Sequence, residues 1–388
     1  MIPPPGDWCR GVVAAAIVLA SLAGCARPRP AVSAWESIPL GTDAEIEDLW
    51  FADSLNGWLV GGGHQIEGGL VGRTRDGGLT WTYTSGLASR EPGVFRFNLT
   101  AVRFLDAGRG LIAATGGKIF ITDDAGEHWR LARYGRSATD HLFAFDFLDP
   151  YNGWAAGLAG ALRTRDGGEN WEEPNRELSP YERPTGHAIR LFDASHGFMA
   201  GRDGALFRTV DGGQTWFRVV TPLDAAERPM LYDLWFADVR HGWVVGAEGT
   251  VLHTTDGGST WTRQETGVAG ARSEPKLQAV QRRRGVVDTF DLGERTPGLT
   301  LTAVRFLDPS RGWAVGHFGY EGRSVVLASQ DGGASWRIEQ EAAGEELRAL
   351  FVLDAEHAWA AGDRVRPGAQ TLLRRTPATV AAAAATAR

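Results

Sequence analysis

A short motif occurs six times along the chain, and this internal repeat restricts the possible folds more than any other feature. The first copy reads Thr74-Arg-Asp76-Gly-Gly78-Leu-Thr80-Trp81, which matches the Asp-box pattern Ser/Thr-x-Asp-x-Gly-x-Thr/Ser-Trp. Two copies depart from the pattern before the Trp, where His128 and Asn170 replace Thr or Ser. The Asp residues of the six copies are Asp76, Asp124, Asp166, Asp211, Asp256 and Asp331.

The chemistry of this motif is that of a tight turn between two β-strands. Gly accepts the positive φ that a hairpin turn requires, and Asp accepts hydrogen bonds from nearby backbone N–H groups. The Trp then begins the next strand and packs on the sheet. We therefore expect the six Asp residues to shape turns rather than to act as catalytic carboxylates. The 51 Gly and 15 Trp residues of the 388-residue chain fit an all-β protein with frequent reversals.

A second motif occurs seven times and predicts a β-hairpin. Its first copy, Leu49-Trp-Phe51-Ala-Asp53 followed by Gly57-Trp58-Leu-Val-Gly61, places apolar segments on both sides of a turn. The other copies start at Val102, Phe145, Ile189, Leu234, Val304 and Leu350. The hairpin supplies strands A and B of a repeat unit, and the Asp-box that follows is the turn between strands C and D. The four strands occupy about 40–45 residues, which is the period of a propeller blade.

Seven hairpins but six Asp-boxes leave the last blade one strand short. The segment Thr371-Leu-Leu-Arg-Arg375 is predicted to be its third strand, and Ser33-Ala-Trp35-Glu-Ser-Ile38 its fourth, because Trp35 takes the place of a box Trp. Such pairing would close the ring and remove exposed sheet edges. We expect one seven-bladed, all-β propeller over residues 33–376, with an inserted loop at about 266–298 and a disordered Ala-rich tail at 377–388.

The N-terminus has the pattern of a bacterial lipoprotein signal. An apolar run at residues 11–20 is too short to span a bilayer, and Leu22-Ala-Gly-Cys25 resembles a lipobox. We expect residues 1–24 to be removed, Cys25 to be lipidated, and residues 25–32 to form a tether. The protein would then be extracytoplasmic, on the periplasmic side, and Ala26 favours the outer membrane where one exists. Cys9 would leave with the signal, so the mature chain could form no internal disulfide.

The combined unit, V-x-F-x-D-x-x-x-G-W-x-V-G followed by T-x-D-G-G-x-T-W, resembles the photosystem II stability and assembly factor family. Members of that family are seven-bladed Asp-box propellers. Cyanobacterial members are lipoproteins that face the thylakoid lumen and bind newly made reaction-centre proteins. The resemblance implies a membrane-tethered, protein-binding propeller whose partner is a membrane protein or complex subunit.

The resemblance also implies an Arg-rich patch for partner binding, and two sets of Arg residues are candidates. The middle of strand A carries Arg103, Arg190 and Arg305, which we expect near the central channel, since strand A is the innermost strand of a blade. A second set, Arg73, Arg163 and Arg208, precedes Asp-boxes on strand C. The alternative is a set of solvated strand faces in an Arg-biased chain, where Lys occurs only at Lys118 and Lys276.

Irregular loops supply the remaining partner-binding candidates. In a propeller the B–C and D–A loops share one face, and the long ones here belong to blades 5, 6, 7 and 1, which are neighbours in a closed ring. Functional loops on a rigid scaffold are common, although long loops are also tolerated as insertions. The candidates on these loops are His64, Arg90, Arg96, Arg283, Tyr320, Arg323, Arg364 and Arg366.

Other functions are less well supported. Asp-boxes also occur in sialidases and xyloglucan-degrading enzymes, but the chain lacks the Arg-Ile-Pro segment of sialidases and shows no evident Tyr–Glu pair. A pair of convergent carboxylates among 47 acidic residues keeps a glycan-binding or glycoside hydrolase propeller open as the alternative. The nine His residues form no close ligand pair, and a net charge of −7 gives no reason to expect nucleic acid. We expect a monomer without catalytic residues, metal or cofactor.

Overall fold

The computed structural model describes residues 35–377, apart from 64–65, 67, 88–96, 159, 175–176, 179–182, 224–227, 269–273, 284–285, 297, 320–321, 344 and 365–369. For residues 274–283, 286–296 and Arg364 only the backbone is described. The described residues form 29 β-strands and two short 3-10 turns, Thr115–Gly117 and Arg202–Gly204. The chain is therefore all-β, as the repeats predict.

Seven of the eight antiparallel sheets are blades, and in all of them except blades 3 and 7 strands A to D follow one another in the chain. Blade 1 comprises β2 (Glu45–Phe51), β3 (Gly57–Gly62), β4 (Leu70–Thr74) and β5 (Thr82–Ser85), and blade 2 comprises β6 (Leu99–Phe104), β7 (Gly110–Ala114), β8 (Ile119–Thr122) and β9 (Arg130–Arg133). Blade 3 comprises β10 (Leu142–Phe147), β11 (Gly153–Gly157) and β12 (Gly160–Thr164). Blade 4 comprises β13 (Ala188–Leu191), β14 (Gly197–Ala200), β15 (Leu206–Thr209) and β16 (Phe217–Arg218). Blade 5 comprises β17 (Leu231–Phe236), β18 (Gly242–Gly246), β19 (Val251–Thr254) and β20 (Thr262–Gln264). Blade 6 comprises β23 (Leu299–Phe306), β24 (Gly312–Phe318), β25 (Arg323–Ser329) and β26 (Arg337–Ala343). Blade 7 comprises β27 (Glu345–Val352), β28 (Ala358–Arg364) and β29 (Thr371–Arg375), and it is completed by β1 (Trp35–Pro39).

The N-terminal strand completes blade 7 and closes the ring. β1 pairs with β29 in antiparallel register from Trp35 opposite Arg375 to Pro39 opposite Thr371. The sheet order of this blade is β1-β29-β28-β27. The predicted seven-bladed propeller with N-terminal closure is confirmed.

Among its described residues, blade 3 has no full fourth strand. One isolated bridge, between Arg163 and Glu172, stands where strand D would pair with β12. Pro174 follows two residues later and has no N–H to extend the pairing. The blade therefore has three strands and a single outer bridge.

Aromatic stacking between neighbouring blades forms much of the core. A Trp on strand B of one blade lies against a Phe at the end of strand A of the next blade. The ring centroids of Trp58 and Phe104 are 3.7 Å apart, and those of Trp243 and Phe306 are 3.6 Å apart. Trp359 of blade 7 stacks on Phe51 of blade 1 in the same way, at 3.7 Å. The same contact thus continues across the closure of the ring.

Each Asp-box forms a compact turn held by its own side chains. In the first copy the Thr74 hydroxyl donates to Asp76 over 2.8 Å, and the Thr80 backbone N–H donates to Asp76 over 2.9 Å. Gly77 and Gly78 have φ of 74° and 92°, values that favour Gly. In the fifth copy the side-chain and backbone donors of Thr260 lower the pKa of Asp256 to about 2. The carboxylates accept hydrogen bonds within the turns.

The two departures from the motif keep the same geometry. The His128 ring nitrogen lies 2.7 Å from Asp124, and the Asn170 amide donates to Asp166 over 2.8 Å. Each side chain therefore takes the place of the Thr or Ser hydroxyl.

The long connection between blades 5 and 6 contains a β-hairpin rather than an unstructured loop. β21 (Glu274–Arg283) and β22 (Val286–Thr296) pair with each other in a separate two-stranded sheet. Apolar residues in near alternation, such as Leu277 with Ala279 and Phe290 with Leu292, suit paired strands. The sequence interpretation missed this hairpin because it treated the segment only as a departure from the repeat.

Candidate functional site

The described residues enclose a central channel. It has a volume of about 870 Å³ and is lined by strand A of all seven blades. Strand A follows the channel wall, so its inward side chains form rings around the axis. Two of these rings differ in their chemistry, and we call them the lower ring and the upper ring.

The lower ring lies near the end of strand A that leads into the A–B turn. Its members, one from each blade in order, are Trp50, Arg103, Asp146, Arg190, Trp235, Arg305 and Phe351. The three Arg residues predicted on strand A thus lie in one cavity, on blades 2, 4 and 6.

Two of these Arg residues are paired with carboxylates of the preceding blade. Arg190 donates to Asp146 over 3.0 Å, and Arg305 donates to Asp233. The same two carboxylates accept backbone N–H groups of the next blade, from Leu191 at 2.7 Å and Val304 at 2.9 Å. These ion pairs therefore hold neighbouring blades together.

Arg103 differs from the other two. Among the described residues no carboxylate lies within ion-pair distance of it, and its guanidinium stacks over the Trp50 ring, 4.1 Å from the centroid. Burial lowers the pKa of Arg103 to about 10, which leaves it charged at neutral pH. Arg103 is therefore a channel-facing cation that forms no ion pair with a described residue, although the charges of Asp146 and Asp48 act on it at longer range.

Asp48, next to the lower ring, is bound to backbone rather than to a cation. It accepts the N–H of Val102 over 2.9 Å and that of Leu49 over 2.8 Å. Burial nevertheless raises the pKa of Asp48 to about 6, despite these hydrogen bonds. The carboxylate thus changes charge close to neutral pH.

The upper ring lies three residues earlier on each strand A. In six blades the strand register shifts at this residue, and His187 directly precedes strand A of blade 4. Its members in blade order are Glu47, Thr100, Phe143, His187, Tyr232, Thr302 and Arg348. None of these residues was singled out from the sequence, although a constant offset of three from the lower ring would have located them.

The upper ring is aromatic on one side. Phe143 and His187 stack with their ring centroids 4.4 Å apart, and His187 meets Tyr232 edge-on at 5.8 Å. Burial lowers the pKa of His187 to about 4, so its ring is neutral at neutral pH. Blades 3 to 5 therefore give the channel an uncharged aromatic wall.

The other side of the upper ring is charged. Arg348 lies 2.7 Å from Glu47, 3.4 Å from Asp363 and 3.7 Å from Glu346. His317 lies 3.9 Å from Glu346. Burial raises the pKa of Glu47, although Arg348 opposes that shift. Three carboxylates thus surround one guanidinium on the wall formed by blades 6, 7 and 1.

The second predicted set of Arg residues lies outside the channel. Their guanidinium groups cover the strand-B aromatic rings, with centroid distances of 5.7 Å for Arg73 over Trp58 and 5.4 Å for Arg163 over Trp154. Arg208 lies over the Phe198 ring at 5.9 Å. The structure therefore separates the two sets of Arg residues instead of joining them in one patch.

Few of the loop candidates can be placed. Arg323 stacks over Phe318 at 4.3 Å and pairs with Glu341 at 3.0 Å. For Arg283 and Arg364 the structure gives only backbone pairing, opposite Val286 and Glu345. The candidates Cys25, His64, Arg90, Arg96, Tyr320 and Arg366 lie outside the described residues.

The described part of the chain offers neither a candidate metal-ion site nor a candidate membrane-spanning helix. It holds no group of three or more His, Cys, Asp or Glu residues arranged to bind a metal ion. Among the same residues, no helix has both the length and the apolar character that crossing a membrane requires.

Comparisons with known proteins agree with the propeller and its repeat. The family model described as "Photosynthesis system II assembly factor YCF48" matches residues 27–137, 135–225 and 221–284. A curated relative, the photosystem II assembly lipoprotein Ycf48 of Synechococcus sp. (strain CC9902), is 30% identical over 155 residues. That match covers 39% of this chain and 44% of the relative, so the chain spans less than half the length of the relative.

Solved structures share the fold at low sequence identity. A structure described as "YCF48 bound to D1 peptide" has a TM-score of 0.61 at 18% identity and covers 88% of this chain and 95% of that chain. The GH74 xyloglucanase of Xanthomonas campestris has a TM-score of 0.56 at 14% identity, over 88% of this chain and 55% of that chain. These likenesses support the fold alone. The family model, however, matches well over half of the sequence, and the chain therefore belongs to the photosystem II assembly factor family called Ycf48.

Proposed function

We propose that this chain is a membrane-tethered propeller that binds a segment of a membrane protein and assists the assembly or stability of its complex, as a photosystem II assembly factor does. The observation that carries this proposal is Arg103, a channel-facing cation with no carboxylate partner among the described residues. Arg103 is only partly exposed and forms no ion pair with a described residue, so a carboxylate supplied by a partner would be stabilised there.

The channel suits a peptide segment as its ligand. Its lower ring offers the Arg103 cation stacked on the Trp50 ring, and aromatic and Arg side chains are the residue types that dominate protein-binding sites. A related protein has been solved with a D1 peptide bound. We propose a comparable reaction-centre segment as the partner here.

The tether is the second part of the proposal. The curated relative is named a lipoprotein, and the lipobox-like segment ending at Cys25 would supply a lipid anchor to this chain. Residues 25–32 would then connect the anchor to the propeller. The protein would act as an extracytoplasmic monomer, on the periplasmic side of a membrane, or on the lumenal side of a thylakoid.

The loop face is proposed to extend the binding surface beyond the channel. The hairpin β21–β22 and the connections of blades 6, 7 and 1 depart from the repeat on that face. Deletion of residues 268–296, with short turns in place of the blade 6 and blade 7 loops, tests this part. Loss of a partner from a membrane pull-down is expected, and an unchanged set of captured proteins would exclude a role for these loops.

Arg103 gives the sharper test. A fluorescent peptide from the extracytoplasmic segment of the partner is titrated with the purified propeller, and fluorescence anisotropy gives its Kd. Replacing Arg103 by Gln should weaken binding about tenfold, equivalent to about 1.4 kcal/mol, because a channel-facing charge is removed. Arg165→Gln is the matched control, since Arg165 is exposed on an Asp-box and does not line the channel. Equal Kd values for all three proteins would contradict the proposal.

A glycan-active propeller is the second candidate, because the upper ring places aromatic rings and carboxylates in one cavity. Retaining and inverting hydrolases require two carboxyl groups on either side of the bond that is cleaved. Here Glu47 and Glu346 both lie against Arg348, which disfavours a free acid and nucleophile. Incubation with xyloglucan and assay of reducing ends tests this candidate, and sugar release would favour it over the binding protein.

A further inference from the structure

The upper ring has a division of polarity that the contact with Arg103 does not use. Its aromatic members lie on blades 3 to 5, and its charged members lie on blades 7 and 1, on the opposite side of the ring. The two Thr residues between these sides already have partners. Thr100 donates to the Leu142 carbonyl over 2.6 Å, and Thr302 donates to the Leu347 carbonyl over 2.8 Å. Selectivity at this level therefore depends on the two contrasting walls.

The charged wall has more carboxylates than cations. Glu47, Glu346 and Asp363 all lie within 4 Å of the one guanidinium of Arg348, and their side chains are 12% to 24% exposed. Arg348 cannot neutralise three carboxylates, and partial burial removes much of the water that would otherwise solvate them. A second cation entering from the channel would relieve this excess of negative charge.

The aromatic wall favours a different group. The stacked rings of Phe143, His187 and Tyr232 form a continuous surface, and the His ring is uncharged at neutral pH. Such a surface gains from contact with apolar or aromatic side chains through burial and ring packing. The two walls together therefore fit a ligand that is cationic on one side and apolar on the other.

We propose that the upper ring selects a peptide segment in which a Lys or Arg side chain contacts Glu47 and Glu346, which line the channel, while a neighbouring apolar side chain packs on Phe143, His187 and Tyr232. This inference rests on the proposed function, since it assumes that the channel receives a protein segment. It adds a requirement on the sequence of that segment, namely a basic residue flanked by apolar ones. A small metal cation is a poor alternative occupant, because Arg348 already lies among the carboxylates.

Two synthetic peptides that differ only in charge test the selection. Acetyl-Gly-Phe-Arg-Phe-Gly-amide and the same peptide with citrulline in place of Arg are each titrated into the propeller by isothermal titration calorimetry. Citrulline keeps the shape of Arg but carries no charge. The Arg peptide should bind about tenfold more tightly than the citrulline peptide, as expected for one close charge contact in a partly desolvated site.

Variants of the charged wall then locate the effect. Glu346→Gln and Glu47→Gln should each reduce the preference for the Arg peptide to about threefold, because each removes one of the two carboxylates that line the channel. Glu341→Gln is the matched control, since Glu341 carries the same group on strand D of blade 6 and does not line the channel. Phe143→Ala should weaken both peptides equally. Thermal unfolding of every variant shows whether it is folded.

The outcomes separate this inference from the proposed function. Equal binding of the two peptides, failure of both to bind, or an unchanged preference in folded Glu346→Gln and Glu47→Gln would overturn the upper-ring proposal. If a reaction-centre peptide still binds in a manner that depends on Arg103, the proposed function survives that result. If the Arg peptide is preferred as expected but no reaction-centre peptide binds, the proposed function fails instead.

Discussion

Trp313 of blade 6 occupies the same strand-B position as the Trp residues of four other blades, but its indole N–H has a different partner. Trp58, Trp154, Trp243 and Trp359 each donate to a backbone carbonyl in the Asp-box of the next blade, over 2.9 to 3.1 Å. Blade 7 has no Asp-box, and Trp313 instead donates to the Glu339 side chain over 2.8 Å.

Glu339 joins the closing strand to blade 6. Besides the Trp313 N–H it accepts the Trp35 N–H over 3.1 Å, and Arg375 donates to the same carboxylate. Its side chain is only 3% exposed. Where the repeat supplies a neutral carbonyl, the closure uses one buried carboxylate: these three donors share its Oε2 atom, and Arg337 donates to Oε1 over 3.0 Å. At this position the junction between blades 6 and 7 therefore uses a side-chain acceptor, whereas the four regular junctions use a backbone carbonyl of a turn.

Removal of the closing strand should give the largest effect. A chain that starts after Leu40 would lose the strand pairing of β1 and the burial of Trp35 and Ile38, which are each 7% exposed. Burying two such side chains contributes roughly 3–6 kcal/mol, and the freed edge of β29 would be open to pairing with other chains. A large fall in the melting temperature and association in size-exclusion chromatography are expected. A monomer with unchanged stability would show that the ring does not need this strand.

Substitution of Glu339 should have the next largest effect. Glu339→Gln leaves Arg375 buried without a counter-charge, and breaking a buried ion pair by removing one partner costs about 3–5 kcal/mol. Denaturant unfolding followed by Trp fluorescence measures the change. Glu341→Gln serves as the control on the same strand, because its partner Arg323 is 42% exposed and such pairs contribute about 0–1 kcal/mol. Similar losses for the two variants would contradict the special role of Glu339.

The regular junctions are easier to predict from the sequence than the closure. The Asp-box fixes its own turn, so its carbonyl appears at a constant place, and a strand-B Trp can be matched to it from the repeat alone. Glu339 belongs to no motif, because its partners Trp35 and Arg375 come from opposite ends of the propeller. Only the closed ring brings these three residues together.

The same reasoning applies to the channel. The lower ring could be predicted because it keeps a fixed position within the strand-A motif. The upper ring lies at a register shift, and a pattern of simple alternation assigns such residues to the wrong face. Its division into an aromatic and a charged wall depends on which blades are neighbours around the axis, so it follows from the ring rather than from one repeat.

A regular junction should tolerate a smaller change. Trp243→Phe removes the N–H that donates to Gly332 but keeps an aromatic ring against Phe306, and blade 4 already has Phe198 at this position. The loss of one hydrogen bond and part of the ring predicts a destabilisation of about 1–2 kcal/mol. Trp313→Phe should cost more, since it leaves the buried carboxylate of Glu339 with one donor fewer. Denaturant unfolding of both variants measures the difference, and a greater loss for Trp243→Phe would reverse the comparison.

The smallest effect should depend on pH and arise at the junction of blades 1 and 2. Asp48 accepts the Val102 N–H of the next blade, and burial raises its folded-state pKa to about 6. A raised folded-state pKa means that the stability this group contributes is fully present below an unfolded pKa of about 4 and is lost as the pH rises through about 6. Burial acts in the same direction on Glu339, but Arg375 and the two indole donors outweigh it and lower the pKa of Glu339. The contribution of Glu339 is therefore present above about pH 4.5 and is lost as the pH falls.

Asp48→Asn should accordingly change stability little at pH 4 and raise it by roughly 1–2 kcal/mol, relative to the unsubstituted chain, at pH 8. Unfolding free energies of the two proteins at these pH values test the prediction, and a difference that does not vary with pH would mean that Asp48 does not titrate in this range.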